Sequence, residues 1–188
     1  MTPTRRQLVA GLLATFLPRA AQAADFAIDW QGLPPDPALA ARLAHQIAIV
    51  RAVPVDAAVM TFFAAEPIHV LTAPGEGSHA GERVFITRDP FPDDNPVLLH
   101  ELIHRWHSAR LAGTPRAIRL RELFANEVAA PHFPRRAYLY TNVAEYLAMT
   151  ASVVLHGRAA RPPFTRDAVR AMLPETYAFI IAEFGVRL

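Results

Sequence analysis

Apolar and polar positions along the chain follow two periods, which predicts a mixture of strands and helices. Alternation at Phe26, Ile28 and Trp30 indicates a strand, and short apolar runs at 68–71 and 83–87 indicate two more. Longer helical or continuously apolar segments predict helices over 38–51, 55–65, 96–112, 119–128 and 141–155, and two more that begin at Thr165 and Pro174. We therefore expect one mainly helical α+β domain with a small sheet before the helix at 96–112.

The helix that begins near Pro96 carries the segment His-Glu-Leu-Ile-His, with Asn95 as its candidate cap. At about 100° per residue, His100 and His104 lie one turn apart on one face of this helix. Two imidazoles so placed can bind one Zn²⁺ at about 2.0–2.1 Å. Glu101 lies beside that face, where a carboxylate can act as the general base of a hydrolase. The segment therefore predicts a catalytic zinc site.

A catalytic zinc ion needs a third protein ligand, for which there are three candidates. Glu122 and Glu127 lie in one predicted helix, whereas Glu145 lies in the almost wholly apolar helix at 141–155. A buried carboxylate is costly unless it is paired, and a metal ion would compensate it. Glu145 can instead pair with an arginine such as Arg135 or lie in a hydrated first turn. Glu127 remains the rival ligand, or an acceptor that orients a zinc histidine.

Two segments together resemble a known family. The motif at 100–104, followed about forty residues later by the segment at 138–148, resembles the catalytic domain of anthrax lethal factor and its relatives. These proteins are gluzincins, which are zinc peptidases with a zincin-like fold and a glutamate as the third ligand. The resemblance covers roughly 68–155. The chain departs from the family at Ile103, where the family's histidine motif often has a glycine.

The resemblance implies roles for several residues of this chain. It implies that Glu145 is the third ligand, beside Asn142, and that Tyr138 stabilises the oxyanion, with Tyr140 an equally eligible neighbour. It also implies that the strand at 84–87 is an edge that binds substrate in extended form, although the same strand can equally be a core strand. Two imidazoles and one carboxylate favour one Zn²⁺ as the cofactor, with manganese or cobalt as alternatives.

The first residues indicate export from a bacterial cytoplasm. Arg5 and Arg6 precede an apolar run from Leu8 to Leu17, and the small residues at 21–23 are typical of a cleavage site. We predict a twin-arginine signal over 1–23 and a mature domain over 24–188, found in the periplasm or secreted. An ordinary secretion signal and an uncleaved anchor are the alternatives. Because the chain has no cysteine, it has neither a disulfide nor a lipoprotein anchor, so we expect no stable membrane anchor after processing.

Composition narrows the class of partner. The net charge is +2, the pI is about 9.5 and the basic residues are scattered, so the sequence does not predict nucleic-acid binding. We expect an exported zinc metallopeptidase that acts on a peptide or protein substrate. Two alternatives share the same ligands: an exported zinc-binding protein without activity, and a zinc amidase acting on cell-wall material.

Overall fold

The computed structural model describes residues 25–187, so the predicted signal at 1–23 lies outside the described residues. Within that range the protein is a mixed α+β domain that is mainly helical. The helices are α1 (Pro37–Ala52), α2 (Ala57–Ala65), α3 (Val97–Trp106), α4 (Pro115–Ala129), α5 (Val143–His156), α6 (Arg166–Met172) and α7 (Pro174–Phe184). The strands are β1 (Ile28–Asp29), β2 (Ile68–Val70), β3 (His79–Ala80) and β4 (Val84–Ile86). None of the helices within this range is both long and apolar enough to cross a membrane.

The four strands form one sheet in the order β1-β2-β4-β3. β1, β2 and β4 are parallel, and β3 runs antiparallel to β4. The expectation that the strand at 84–87 forms an edge is wrong, because β4 is paired on both sides. The two edge strands are β1 and β3, and β3 is the short strand that pairs with β4 between Gly77 and Gly81.

Local side-chain caps fix most helix starts. Asp36, Asp56, Thr114, Asn142 and Thr165 each accept hydrogen bonds from backbone N–H groups in the first turn of the next helix. Such caps satisfy donors that have no partner inside the helix. The predicted helix boundaries therefore hold to within a few residues.

α3 is the central helix of the domain. It packs against α1 and α5 and against strands β3 and β4. Leu98, Leu99, Leu102 and Ile103 are fully buried in this position, and each contributes about 1.5–3 kcal/mol through burial. After α3 the chain continues as a π-helical turn (His107–Leu111) before Gly113. The helix predicted over 96–112 is therefore confirmed, but the hydrogen bonds of its last part are those of a π-helix.

Candidate metal centre

Two buried helices position the predicted ligands. His100, Glu101 and His104 lie on α3, and Glu145 lies in the first turn of α5. The side chain of Asn142 accepts hydrogen bonds from the backbone N–H groups of Ala144 and Glu145, both at 2.9 Å, and so fixes this first turn. The structure therefore brings together residues that are about forty positions apart in the sequence.

The start of α3 is held by a residue from α1. Oε1 of Gln46 accepts from the backbone N–H of Leu98 at 3.1 Å, and its Nε2 donates to the carbonyl of Asn95 at 3.0 Å. The prediction that Asn95 caps this helix is wrong, because its side chain makes no capping bond. Only its backbone carbonyl takes part, by accepting from Nε2 of Gln46. Gln46 lies on the core-facing side of α1, together with the apolar residues Leu43, Ile47 and Val50. A polar residue on such an apolar face is the signal that could have marked Gln46 as a structural residue in the sequence.

Three ligand atoms converge where α3 meets α5. Nε2 of His100 lies 3.0 Å from Nε2 of His104, and Oε2 of Glu145 lies 3.2 Å and 3.3 Å from these two atoms. A tetrahedral zinc ion with bonds of about 2.0–2.1 Å separates its ligand atoms by about 3.3 Å. The observed triangle is therefore of the size that one such ion requires, and these residues can hold a metal ion.

The electrostatics of Glu145 agree with this fit. Its Oε2 is buried and accepts no hydrogen bond of good geometry within the described part of the chain, although two imidazoles face it. Burial acts to raise the pKa of the Glu145 carboxyl, but the neighbouring His100 and His104 outweigh it and hold the pKa well below its usual range. Burial lowers the pKa of His100 and so favours the neutral imidazole, which is the form that binds metal. An orphaned carboxylate oxygen between two imidazoles suits a cation.

Glu101 is a buried carboxylate beside the metal ligands. Its exposed fraction is only 4%, and its Oε2 has no hydrogen-bond partner among residues 25–187. Burial raises the pKa of Glu101 to about 8, with a further contribution from the charge of Glu145. At neutral pH a carboxyl with this pKa is mostly protonated, and a cation held by the neighbouring side chains would lower the pKa and favour the ionised form that a general base needs.

The structure separates the two tyrosine candidates. The hydroxyl of Tyr138 donates to Oε1 of Glu145 at 3.2 Å, so this residue lies next to the candidate ligands. The hydroxyl of Tyr140 donates instead to Oε1 of Glu127 at 2.6 Å. Burial and the charge of Glu145 raise the pKa of Tyr138, which keeps the phenol protonated and able to donate a hydrogen bond. Both tyrosines belong to a 3₁₀ turn (Tyr138–Tyr140) that precedes α5.

The rival ligands lie elsewhere. Glu127 is buried and accepts from Tyr140 and from the backbone N–H of His132, while its Oε2 lies 2.8 Å from Nδ1 of His132. Its oxygens contact Tyr140 and His132, so Glu127 orients neither His100 nor His104. Glu122 is exposed and pairs with Arg119 on the surface. No other set of three metal-ligating side chains converges within residues 25–187.

The candidate centre opens onto a cleft. The cavity has a volume of about 390 Å³ and is lined by His100, Glu101 and Tyr138 together with Ser78, which directly precedes the edge strand β3. Arg161, which directly precedes Pro162 and Pro163, also lines this cleft. Its guanidinium stacks on the ring of Tyr138 at 5.6 Å from the ring centroid. Nothing in the local sequence of Arg161 indicates this position.

Comparison with known proteins gives no family assignment. No protein-family model matches the chain, and no curated protein matches it in sequence. The chemistry of the centre therefore rests on the chain's own residues.

Proposed function

We propose that the chain is an exported zinc-dependent metallopeptidase of the gluzincin type, with Glu101 as its general base. One observation carries this proposal: the ligand atoms of His100, His104 and Glu145 lie within 3.3 Å of one another, and Glu101 lines the cleft beside them with a carboxylate oxygen that has no partner among residues 25–187. The leader pattern at 1–23 supports action outside the cytoplasm.

The chain's own residues supply the proton transfers of such a reaction. A zinc ion held by the three ligands would polarise the scissile carbonyl and make water a better nucleophile near neutral pH. The carboxylate of Glu101 accepts the proton of the attacking water and then delivers it to the leaving amine. The hydroxyl of Tyr138 exchanges its bond to Glu145 for one to the oxygen of the tetrahedral intermediate.

The sheet offers a place for an extended substrate beside these groups. The residues that precede β3, Gly77 and Ser78, line the cleft that holds Glu101. The free edge of β3 can therefore receive a peptide as an additional strand, with main-chain hydrogen bonds that align the scissile bond. This role falls to β3 rather than to β4, because both sides of β4 are already paired.

Hydrolysis by the wild-type chain and its loss in Glu101→Gln provide the direct test. The purified zinc-loaded chain is incubated with casein, with a quenched fluorescent peptide library and with purified peptidoglycan, and bound zinc is measured by mass spectrometry. We expect cleavage of casein or peptides by the wild type. Glu101→Gln should keep its zinc and lose about 10²–10⁴-fold in kcat, which is the usual contribution of a general base.

Glu122→Gln is the matched control, since Glu122 is an exposed carboxylate on α4 that is paired with Arg119. This variant should hydrolyse at the wild-type rate. Zinc binding without hydrolysis of any substrate would favour a non-catalytic zinc protein and contradict the proposal. Hydrolysis of peptidoglycan alone would favour the cell-wall amidase. Full activity of Glu101→Gln would remove Glu101 from the role of base.

A further inference from the structure

A second cavity adjoins the cleft on the other side of Tyr138. It has a volume of about 470 Å³ and shares Tyr138 and Arg161 with the cleft, and Arg136 and Thr141 are among its other lining residues. The stacked pair of Tyr138 and Arg161 thus forms a partition between the two cavities. A substrate bound at Tyr138 can therefore reach both spaces.

The second cavity is positively charged and carries no compensating acid among the described residues. Arg136 and Arg161 both line it, and no aspartate or glutamate does. Within residues 25–187 neither guanidinium has a carboxylate within ion-pair distance. Among the arginines of residues 25–187, Arg161 is distinguished by lining both the cleft and this cavity. The two arginines can therefore bind an acidic group that comes from outside the chain.

We propose that Arg161 and Arg136 form a subsite for a substrate carboxylate, so that the cleft prefers peptides with a carboxylate close to the scissile bond. This inference rests on the proposed peptidase function and names its substrate class. The guanidinium fork matches the two oxygens of a carboxylate and binds them more strongly than neutral hydrogen bonds do. Stacking on Tyr138 keeps Arg161 at the boundary of the cleft and reduces the freedom that it would lose on binding.

Two sources can supply this carboxylate: an aspartate or glutamate side chain, and the free C-terminus of a peptide. Both present the same pair of oxygens to the guanidinium. They differ in the type of peptidase that they imply, because a C-terminal requirement would make the chain a carboxypeptidase, whereas a side-chain requirement is compatible with cleavage inside a chain. Matched substrates separate the two.

The test measures kcat/KM of the zinc-loaded wild type on quenched fluorescent peptide pools. One position at a time is fixed as Glu, Gln or Lys, and each pool is made with a free acid and with an amide at the C-terminus. At one or more positions near the cleaved bond we expect Glu, or the free acid, to be favoured over its neutral counterpart by about 10-fold, and Lys to be disfavoured. The preference should shrink as NaCl is raised, because both guanidiniums are accessible to solvent.

Arginine variants assign the preference to the subsite. The double variant of Arg161→Gln and Arg136→Gln should keep its zinc and cleave the Glu and Gln pools at rates within about twofold of each other, because the preference is lost together with the two guanidiniums. Arg161→Lys should restore part of the preference, since it keeps the charge but loses the fork. Arg170→Gln is the control, because Arg170 is an exposed arginine that lines neither cavity.

A binding measurement keeps this inference separate from the proposed function. Fluorescein-labelled Glu and Gln pools are titrated with zinc-loaded Glu101→Gln protein, with and without the two arginine substitutions, and anisotropy is recorded. Tighter binding of the Glu pool that disappears with the arginines supports the subsite, whether or not the wild type hydrolyses peptides. Equal binding of the two pools, or no binding, overturns the subsite. Failure of every hydrolysis assay instead overturns the proposed function.

Discussion

Replacing Gln46 by methionine tests how the helix of the metal ligands is held. Methionine has nearly the same length and volume as glutamine, so the change removes hydrogen bonds without creating a cavity. Gln46 is 1% exposed, and it joins α1 to the first turn of α3 through Leu98 N–H at 3.1 Å and the Asn95 carbonyl at 3.0 Å. The turn that loses these bonds leads directly into His100.

The size of the effect depends on the group that each lost bond leaves without a partner. Leu98 is fully buried, so its N–H group loses its partner without access to water, at a cost of about 1–3 kcal/mol. Asn95 is only partly buried, and water can replace part of its lost bond. We expect the free energy of unfolding to fall by about 2–3 kcal/mol in total. For a domain of this size the corresponding loss in Tm is about 4–12 °C.

Urea denaturation followed by circular dichroism measures this loss. EDTA is present throughout, so that metal binding does not contribute to the measured stability. Ala44→Met is the control, because it places the same side chain at an exposed position of α1 and should change stability by less than about 0.5 kcal/mol. A Gln46→Met protein as stable as Ala44→Met would show that the contact between α1 and α3 does not hold this helix.

Two further predictions concern the candidate centre, and a third concerns the end of α7. Glu145→Gln should lose more than about 100-fold in zinc affinity, because replacing even a residue that only supports a ligand lowers metal affinity by about 10–100-fold. Glu127→Gln should keep its zinc. Equilibrium dialysis with mass spectrometry measures both affinities, and the reverse result would exchange the roles of the two residues. Tyr138→Phe should lower kcat by about 10²-fold at unchanged zinc content if the hydroxyl stabilises the oxyanion, which peptide hydrolysis measures. Gly185→Ala, directly after α7, should lower the free energy of unfolding in urea by about 1–3 kcal/mol. The reason is that φ is +58° at this position and the new Cβ would approach Oδ2 of Asp56 to 2.7 Å. Unchanged stability would contradict this explanation.

Local patterns were sufficient to predict the elements that form the centre. The apolar run after Pro96 predicted α3, and the spacing of His100 and His104 fixed their common face. Glu145, the third residue of the observed triangle, was also a candidate from the sequence, because a carboxylate in the nearly continuous apolar stretch of α5 needs a compensating charge, although Glu127 remained its rival. Each of these inferences depends on residues within one helix, where periodicity determines which side chains share a face.

The features that the sequence did not reveal depend on contacts between distant segments. Gln46 and Leu98 are separated by 52 positions, and no local rule joins them. The short strand β3 exists only because β4 provides a partner for it, so its glycine-flanked sequence predicts a loop. Arg161 lies beyond the end of α5 and reaches the cleft through tertiary packing against Tyr138. Long-range pairing of this kind leaves no periodic signal.

The way the ligands are supported bears on the choice between a catalytic and a purely structural metal. Structural zinc sites in small domains supply folding energy that the chain otherwise lacks. Here two contacts that involve no metal ligand hold α3. Gln46 binds the first turn of α3, and Nε1 of Trp106 at the end of α3 donates to Glu183 on α7 at 2.8 Å. These contacts position His100 and His104 on α3 independently of a bound ion, which suits precise chemistry more than a role in folding. With Glu101 held in the same rigid helix and facing the cleft, this support favours the peptidase over a non-catalytic zinc protein.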